Sequence, residues 1–395
     1  MSRFDQAGQL WLYRTKPQED ELLSSWLVRL AWGSAIKLQH LCVHVLGQSP
    51  GFLSADIDRN PQEALLAQLC ESTGTPLARG LQIGLASLEG RLWCSFHSRG
   101  PVPWLIPNYR DGRRRLKHGL QYCPQCLAED DQPYFRRKWR LAFNVVCERH
   151  GLFLRDECPH CAAPVVFHTG DFGRRLLSAA SPITQCPSCL LDLRKDRAPL
   201  RPIPDRALVE FHTRLMSCLA AGHETTLPGA SLYSFLFFDG LHLLCRLLVS
   251  SGRGGRLRSE LLDGVDDALR LARQSAPVRF EELRLADRVL AMTMCERLIS
   301  RWPLIFASAC KRCRLSSSYV IRYDAYMPYW LCRELRWELN DRDYAPSEEE
   351  RTAVTAYLQR HGLPAHADAV ERLLGTRHAG QPAMPRWNPR GSHAR

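Results

Sequence analysis

Tyr122 to Cys161 reads YCPQCLAEDDQPYFRRKWRLAFNVVCERHGLFLRDECPHC, and further on Cys186 to Cys189 reads CPSC. With 16 cysteines in 395 residues, chance supplies roughly 0.6 C-x-x-C pairs. The chain has four: Cys123/Cys126, Cys158/Cys161, Cys186/Cys189 and Cys310/Cys313. Three have the form C-P-x-C, and Cys147/His150 adds a C-x-x-H. Two ligands three positions apart sit on one tight turn and grasp one edge of a tetrahedral ion, and a second such turn closes it. Proline after the first cysteine fixes φ and removes a donor where the turn needs none. The order of the pairs gives two closed sites, Cys123, Cys126, Cys147 and His150, then Cys158, Cys161, Cys186 and Cys189. A cross-braced pairing of the same eight residues satisfies the spacing as well. Thiolate and imidazole ligands select zinc over hard cations. Four protein ligands per ion leave no open position, which makes two structural Zn2+ per chain the expected cofactors.

Working outward, Asp20 to Ala31 places Leu22, Leu23, Trp26, Leu27 and Leu30 at three- and four-residue steps, a helix behind acidic Glu19, Asp20 and Glu21. Helices are expected over Ile36–Leu46, from Asn60 to Ser72 and, after Gly74, over Pro76–Leu85. The last two with their glycine turn form a helix-turn-helix-like unit. Between them and the cysteines runs a basic stretch with Arg113, Arg114, Arg115 and Lys117. Arg136, Arg137, Lys138 and Arg140 fall inside the first cysteine loop, interleaved with Tyr134, Phe135 and Trp139. This mixture suits phosphate contact and base stacking, while a solvated charged face is the plain alternative. Prolines at 199, 202 and 204 mark a linker, and beyond it helices are expected over Ala207–Ala221, Ser231–Ser250, Leu257–Ala272, Phe280–Arg301, Tyr329–Leu339 and Glu348–Arg360. Tyr319–Tyr323 reads as a short strand. Of the remaining cysteines, Cys42, Cys70, Cys218 and Cys245 fall on apolar helix faces, whereas Cys94/His97 and Cys310/Cys313 lack a matching pair.

The fold class is mainly α, with an N-terminal helical region at 1–120, a tandem zinc-finger or zinc-ribbon module at 121–200 and a C-terminal helical domain at 201–376. A disordered tail is expected at 377–395. The formal charge of +12, carried by 47 arginines and 6 lysines, favours an acidic partner such as DNA. No run of 18 uncharged apolar residues occurs and the first residues lack an apolar signal core, so a cytoplasmic protein with reduced thiols is expected. No phosphate-binding glycine loop, H-E-x-x-H or G-x-S-x-G occurs, and enzyme chemistry has no motif to rest on.

Two stretches resemble the TniQ/TnsD family of transposon target-selection proteins. One is Pro17 with Glu21, Leu23, Ser25, Trp26, Leu27, Arg29, Leu30 and Ala31, similar to that family's opening "P-x-x-x-E-S-L-x-S-W-L-x-R-L-A". Here Leu22 replaces the serine. The other is the run from Tyr122 to Cys161 with Cys186 to Leu193, and Trp302-Pro303-x-x-Phe306 is similar to a "W-P-x-x-F" of the family. The resemblance implies a non-catalytic adaptor of the shorter, CRISPR-associated type in a bacterial, nucleoid-associated setting. Implied partners are an AAA+ ATPase regulator that brings the transposase, an RNA-guided CRISPR effector complex, DNA or nucleoprotein, and a second copy in a homodimer. A stand-alone, sequence-specific zinc regulator is the competing expectation.

Overall fold

The computed structural model describes residues 10–107, 110–111, 114–115, 120–177, 180–195, 204–227, 231–250, 253–262, 279–321, 327–339 and 347–374. The helix expected at the start is α1, Leu23–Gly33. Leu22, Leu23, Trp26, Leu27 and Leu30 are all fully buried, and so are Ser24, Ser25 and Arg29 from the opposite faces. The helix is therefore wrapped on every side, and its polar residues must find partners inside. Each fully buried leucine contributes about 1.5–3 kcal/mol relative to exposure.

The second expected helix is shorter than its pattern: α2, Leu38–His40, passes into a π-helical turn, Leu41–Val45. Helix α3, Glu63–Thr73, ends on Gly74 at φ 65°, a left-handed cap that only glycine takes at little cost. The expected Pro76–Leu85 helix is then α4, Leu77–Gly80, a single turn. The second element of the helix-turn-helix-like unit is thus too short to serve as a groove-reading helix, which corrects the length expected from the sequence. Strands β1, Arg110–Asp111, and β2, Arg114–Arg115, pair antiparallel.

Small elements carry the central region. Helix α5 is Pro124–Glu129, with proline at its first turn. Strands β3, Val146–Cys147, and β4, Leu152–Phe153, form an antiparallel hairpin. Helical segments follow: α6, Arg206–Ala221; α7, Ser234–Val249; α8, Arg253–Leu261; α9, Leu285–Ser300; α10, Leu304–Arg312; α11, Ser317–Ile321; α12, Tyr329–Glu338; α13, Glu348–Arg360; and α14, Ala367–Leu374. Strands β5, His223–Glu224, and β6, Leu232–Tyr233, pair between α6 and α7. The strand expected at Tyr319–Tyr323 is helical where described, because α11 packs on α12 and tertiary context overrides local β propensity. Trp330 of α12 lies over Gly240 of α7, where a Cβ would come within 2.3 Å of its ring. The expected tail at 377–395 and most of the second half of the expected Leu257–Ala272 helix lie outside the described residues.

One core runs from Trp11 to Leu339. At its centre Trp104 meets Phe143, Phe238 and Phe280 edge to face, its Nε1 donates to Phe238 O (3.1 Å), and its backbone N–H donates to Glu281 (2.7 Å). No single helix among the described residues is long and apolar enough to cross a membrane.

Candidate metal centres

Three of the four pairs fold into the same turn. The residue after the second ligand adopts positive φ: Gly151 at 61°, Ala162 at 52° and Leu190 at 66°. Its N–H closes the turn on the carbonyl of the first cysteine, at 2.7 Å to Cys147, 2.9 Å to Cys158 and 3.0 Å to Cys186. In the remaining pair, Leu127 N–H reaches Cys123 O at 3.1 Å, and the chain continues as α5. Each turn points its two ligand atoms the same way.

The turns meet in sequential pairs. Cys123, Cys126, Cys147 and His150 form one group and Cys158, Cys161, Cys186 and Cys189 the other, with the ligand atoms of each group within 4.8 Å of one another. This resolves the pairing that spacing left open, and the cross-braced arrangement is not formed. In the first group, His150 Nδ1 lies 3.4 Å from the Sγ of Cys123, Cys126 and Cys147, and the Sγ atoms of Cys126 and Cys147 are 3.6 Å apart. In the second, Cys158 and Cys189 are 3.7 Å apart and Cys161 and Cys186 3.6 Å. A tetrahedron with metal–sulfur bonds of about 2.3 Å and a metal–nitrogen bond of about 2.0 Å has edges of about 3.5–3.8 Å. All sixteen cysteines are free thiols. Both groups therefore fit a tetrahedral, thiophilic ion such as Zn2+.

Beside the first group, Glu129 Oε2 lies 3.0 Å from His150 Nε2, the carboxylate–histidine pairing that orients a ligating imidazole. The contact with His150 holds the Glu129 carboxyl below its usual range, with desolvation opposing and the charge of Arg149 assisting. Among the described residues no third group of this kind forms. Cys310 and Cys313 are buried, Cys94 is exposed, and Cys42, Cys70, Cys218 and Cys245 are buried as expected.

The basic residues of the first loop have a different place from the one expected. Arg140 is fully buried. Its Nη atoms bind Asp56 at 3.1 and 2.6 Å and lie 3.5 Å from Asp58, while Nε and Nη2 donate to Ile106 O. Arg136 is buried too, bidentate to Asp130 at 2.8 and 2.9 Å and stacked over the rings of Tyr134 and Trp139. Both guanidinium groups are buried and engaged within the fold. Arg137 pairs with Asp20 at 3.1 Å, and Lys138 with Glu148 at 2.6 Å. The β1–β2 pairing sets Arg114 opposite Asp111 and Arg115 opposite Arg110, while Arg113 and Lys117 lie outside the described residues.

The Arg137–Asp20 and Arg140–Asp56 pairs are seams between the metal-centre region and the chain that precedes it. Leu22 N–H donates to Phe135 O at 2.9 Å, and Arg137 N–H donates to Asp20 O at 2.7 Å. Glu21, 1% exposed, accepts from Ser25 Oγ (2.8 Å) and from Arg29 Nε (2.8 Å) and Nη2 (2.7 Å). Arg29 then reaches Gln132, and Ser25 Oγ accepts from Phe135 N–H. Asp58 accepts from Ser24 N–H and Oγ, and burial raises its carboxyl to about 6 against the pull of Arg140.

On the other side, α9 and α6 supply the ties. Arg288, fully buried, donates to Gln121 Oε1 (3.1 Å), Ala142 O and Leu283 O, and lies 3.7 Å from Asp156. Burial lowers its pKa to about 10, with Asp156 opposing. His212 of α6 contacts Leu208 O (3.1 Å) through Nδ1, and through Nε2 it contacts Val145 N–H (3.0 Å) and Phe143 O (2.7 Å). A neutral ring that donates from Nδ1 and accepts at Nε2 satisfies Leu208 and Val145, and burial pushes the imidazole below its ordinary pKa. Sequence reasoning missed these ties because a side chain's partner lies up to 167 residues away, as for Arg288 and Gln121. The signal within reach was Glu21, just before α1, and Arg29 within it, eight positions apart.

A mainly helical protein built around two ligand groups, one of three cysteines and a histidine and one of four cysteines, each able to offer four ligands to one ion, is the class that fold and site define. Residues 12–154, which include all four residues of the first metal group, match the TniQ family model. No curated protein matches the chain.

Proposed function

We propose that the chain is a non-catalytic target-selection adaptor with two structural zinc ions. It links a DNA-targeting complex, RNA-guided or sequence-specific, to an AAA+ transposition regulator and so to the transposase. The observation that carries this reading is the TniQ match over residues 12–154. The four-ligand groups support its non-catalytic half, since a hydrolytic zinc needs a position open to water. When bound, zinc supplies a tetrahedral cross-link between turns that have little secondary structure of their own. Cys123, Cys126, Cys147 and His150 hold the first ion, and Cys158, Cys161, Cys186 and Cys189 the second. The ion pairs of Arg137 with Asp20 and of Arg140 with Asp56 fix that module against its neighbours, while those of Arg136 with Asp130 and Lys138 with Glu148 brace it internally. DNA or nucleoprotein contact then falls to the run Arg113, Arg114, Arg115 and Lys117. The site of action is the bacterial cytoplasm, at the nucleoid, with the chain acting as a homodimer.

The test is co-purification of the full chain with candidate AAA+ regulators and RNA-guided effector subunits, alongside DNA binding across a salt series. An adaptor retains a protein partner and binds DNA weakly, without sequence preference and with steep salt dependence. Retention of no partner, together with a specific site bound at least 1,000-fold more tightly than random DNA, about the ratio of sequence-specific regulators, favours the stand-alone regulator instead. Replacing Arg113, Arg114 and Arg115 with alanine lowers low-salt DNA affinity about tenfold or more and leaves metal content unchanged. Unchanged affinity makes the run a plain solvated surface.

A further inference from the structure

Cys310 and Cys313 join neither metal group, and both are buried. They belong to two short helices joined by a tight turn: α10, Leu304–Arg312, the turn 313–316, and α11, described from Ser317 to Ile321. Helix α10 ends in a left-handed cap. Arg314 has φ 52°, its N–H donates to Lys311 O at 3.0 Å, and Leu315 N–H reaches back to Cys310 O at 2.9 Å. A non-glycine residue at positive φ is strained, so the surrounding packing fixes this turn rather than local preference.

Burial along the segment follows a helix-turn-helix unit, in which one side of each helix and the residue after the left-handed turn close a small core. Ala309 and Cys310 are 0% exposed, Cys313 6% and Leu315 3%, and Val320 of α11 packs against the same core. Ala309 and Cys310 are small, which lets the chain fold back closely after the turn. Helix α12 packs against both α10 and α11, and Ser317 N–H donates to Leu339 O just beyond its end (3.3 Å). The three helices thus form the unit that the sequence pattern had suggested for residues 60–85, where the second helix is a single turn.

The outward side is cationic. Among the exposed residues of 304–314, only Leu304 is apolar, and the others are Ser308, Lys311, Arg312 and Arg314. Lys311 pairs with Glu338 at 2.9 Å and Arg312 with Glu260 at 2.5 Å, and both basic side chains are more than half exposed. Exposed pairs of this kind add little stability, so either cation can turn to a phosphate at small cost. Burial and then Glu260 raise the Cys313 thiol against the charges of Arg312 and Arg256, which places exposed Arg256 of α8 beside the turn. Arg256 and Arg314 form no ion pair among the described residues. Ser317, partly exposed, opens α11. A serine hydroxyl bonds to base edges and phosphates alike, so this face suits duplex DNA without a strong choice of sequence.

We propose that the α10–turn–α11 unit is a second DNA contact, which docks in the major groove of duplex DNA with Ser317 toward the groove and Lys311, Arg312, Arg314 and Arg256 on the flanking phosphates. The unit lies outside the TniQ match at 12–154 and apart from the basic run at 113–117, so it does not rest on the adaptor reading.

The test measures the affinity of the zinc-loaded full chain for a short labelled duplex, and for a single strand of the same length, by fluorescence anisotropy at low salt. Ser317→Glu puts a carboxylate in the first turn of a helix, where it suits the fold but repels phosphate. Arg314→Gly removes a cation and relieves the left-handed turn. Both variants are expected to keep wild-type circular dichroism and metal content. Duplex affinity is expected to fall about tenfold on Ser317→Glu and about threefold on Arg314→Gly, with a smaller loss on the single strand, and to rise on Ser317→Arg. Three results overturn the proposal: duplex affinity unchanged in both Ser317→Glu and Arg314→Gly; equal losses on duplex and single strand, which make the effect one of diffuse charge; or loss of a retained protein partner on Ser317→Glu with duplex affinity unchanged, which makes the face a protein contact. The first two leave the adaptor reading untouched, since that turns on partner retention and on Arg113, Arg114 and Arg115.

Discussion

Around the first metal group, Cys123, Cys126 and Cys147 are buried, and the turns belong to α5 and the β3–β4 hairpin. Around the second, Cys161 is exposed and Cys189 half-exposed, and the turns are held by isolated bridges, Glu157 with Pro164 and Gln185 with Asp192. The left-handed residue that follows the second ligand recurs at Gly151 in the first group and at Ala162 and Leu190 in the second. What differs is the setting. The first group sits between α1, reached through Glu21, Arg29 and Arg137, and the α6 and α9 helices, reached through His212 and Arg288. The second sits nearer the surface, with Cys161 open to solvent. A repeated motif thus serves two ends, one as the hub of the core and one as the frame of a surface.

That comparison breaks most visibly on ligand removal. Cys147→Ser should unfold the chain as a whole, because apparent zinc binding energies of about 10–16 kcal/mol exceed the net stability of most domains. Cys161→Ser should leave the first ion bound and most helical circular dichroism in place. Equal global unfolding by both variants would erase the distinction.

A smaller effect follows from the seam. Glu21→Gln leaves Arg29 buried beside a neutral partner, and breaking a buried pair in this way costs about 3–5 kcal/mol. Chemical denaturation reads the loss, and a change below about 1 kcal/mol, the scale of an exposed pair, would show that the pair is dispensable.

The mildest effect is in pH. An unfolded histidine titrates near 6.5, whereas burial holds the His212 pKa below that value, with the backbone carbonyls of Phe143 and Leu208 and the charge of Glu148 opposing. Its contribution to stability is present above pH 6.5 and is lost as pH falls toward the folded value, since the unfolded chain takes up the proton first. Asp58, raised to about 6, acts in the opposite sense: its contribution is complete below about 3.8 and declines as pH rises through 6. His212→Gln should therefore flatten stability against pH just below 6.5. A slope identical to that of the unaltered chain contradicts the assignment.

The metal groups were legible in the sequence because their geometry is local: the C-P-x-C spacing already contains the turn. Helix α1 was legible from Leu22, Trp26 and Leu30, though its burial on all faces was not, since Ser24, Ser25 and Arg29 look like a solvent side until Asp58, Glu21 and Phe135 are brought against them. The same blindness makes Arg136 and Arg140 look like solvent-facing cations, although both are buried. Composition shows a charge and hides its counter-ion, which for Arg140 is Asp56, 84 residues away. Local propensity likewise favoured a strand at Tyr319, where packing on α12 makes a helix.

The most direct measurement is the metal content of the purified full chain, by mass spectrometry of the ion per mole of protein. The account predicts two zinc ions per chain, one of them released to a chelator well before the other. Well under two per chain, or loss of both ions in a single phase, would contradict it.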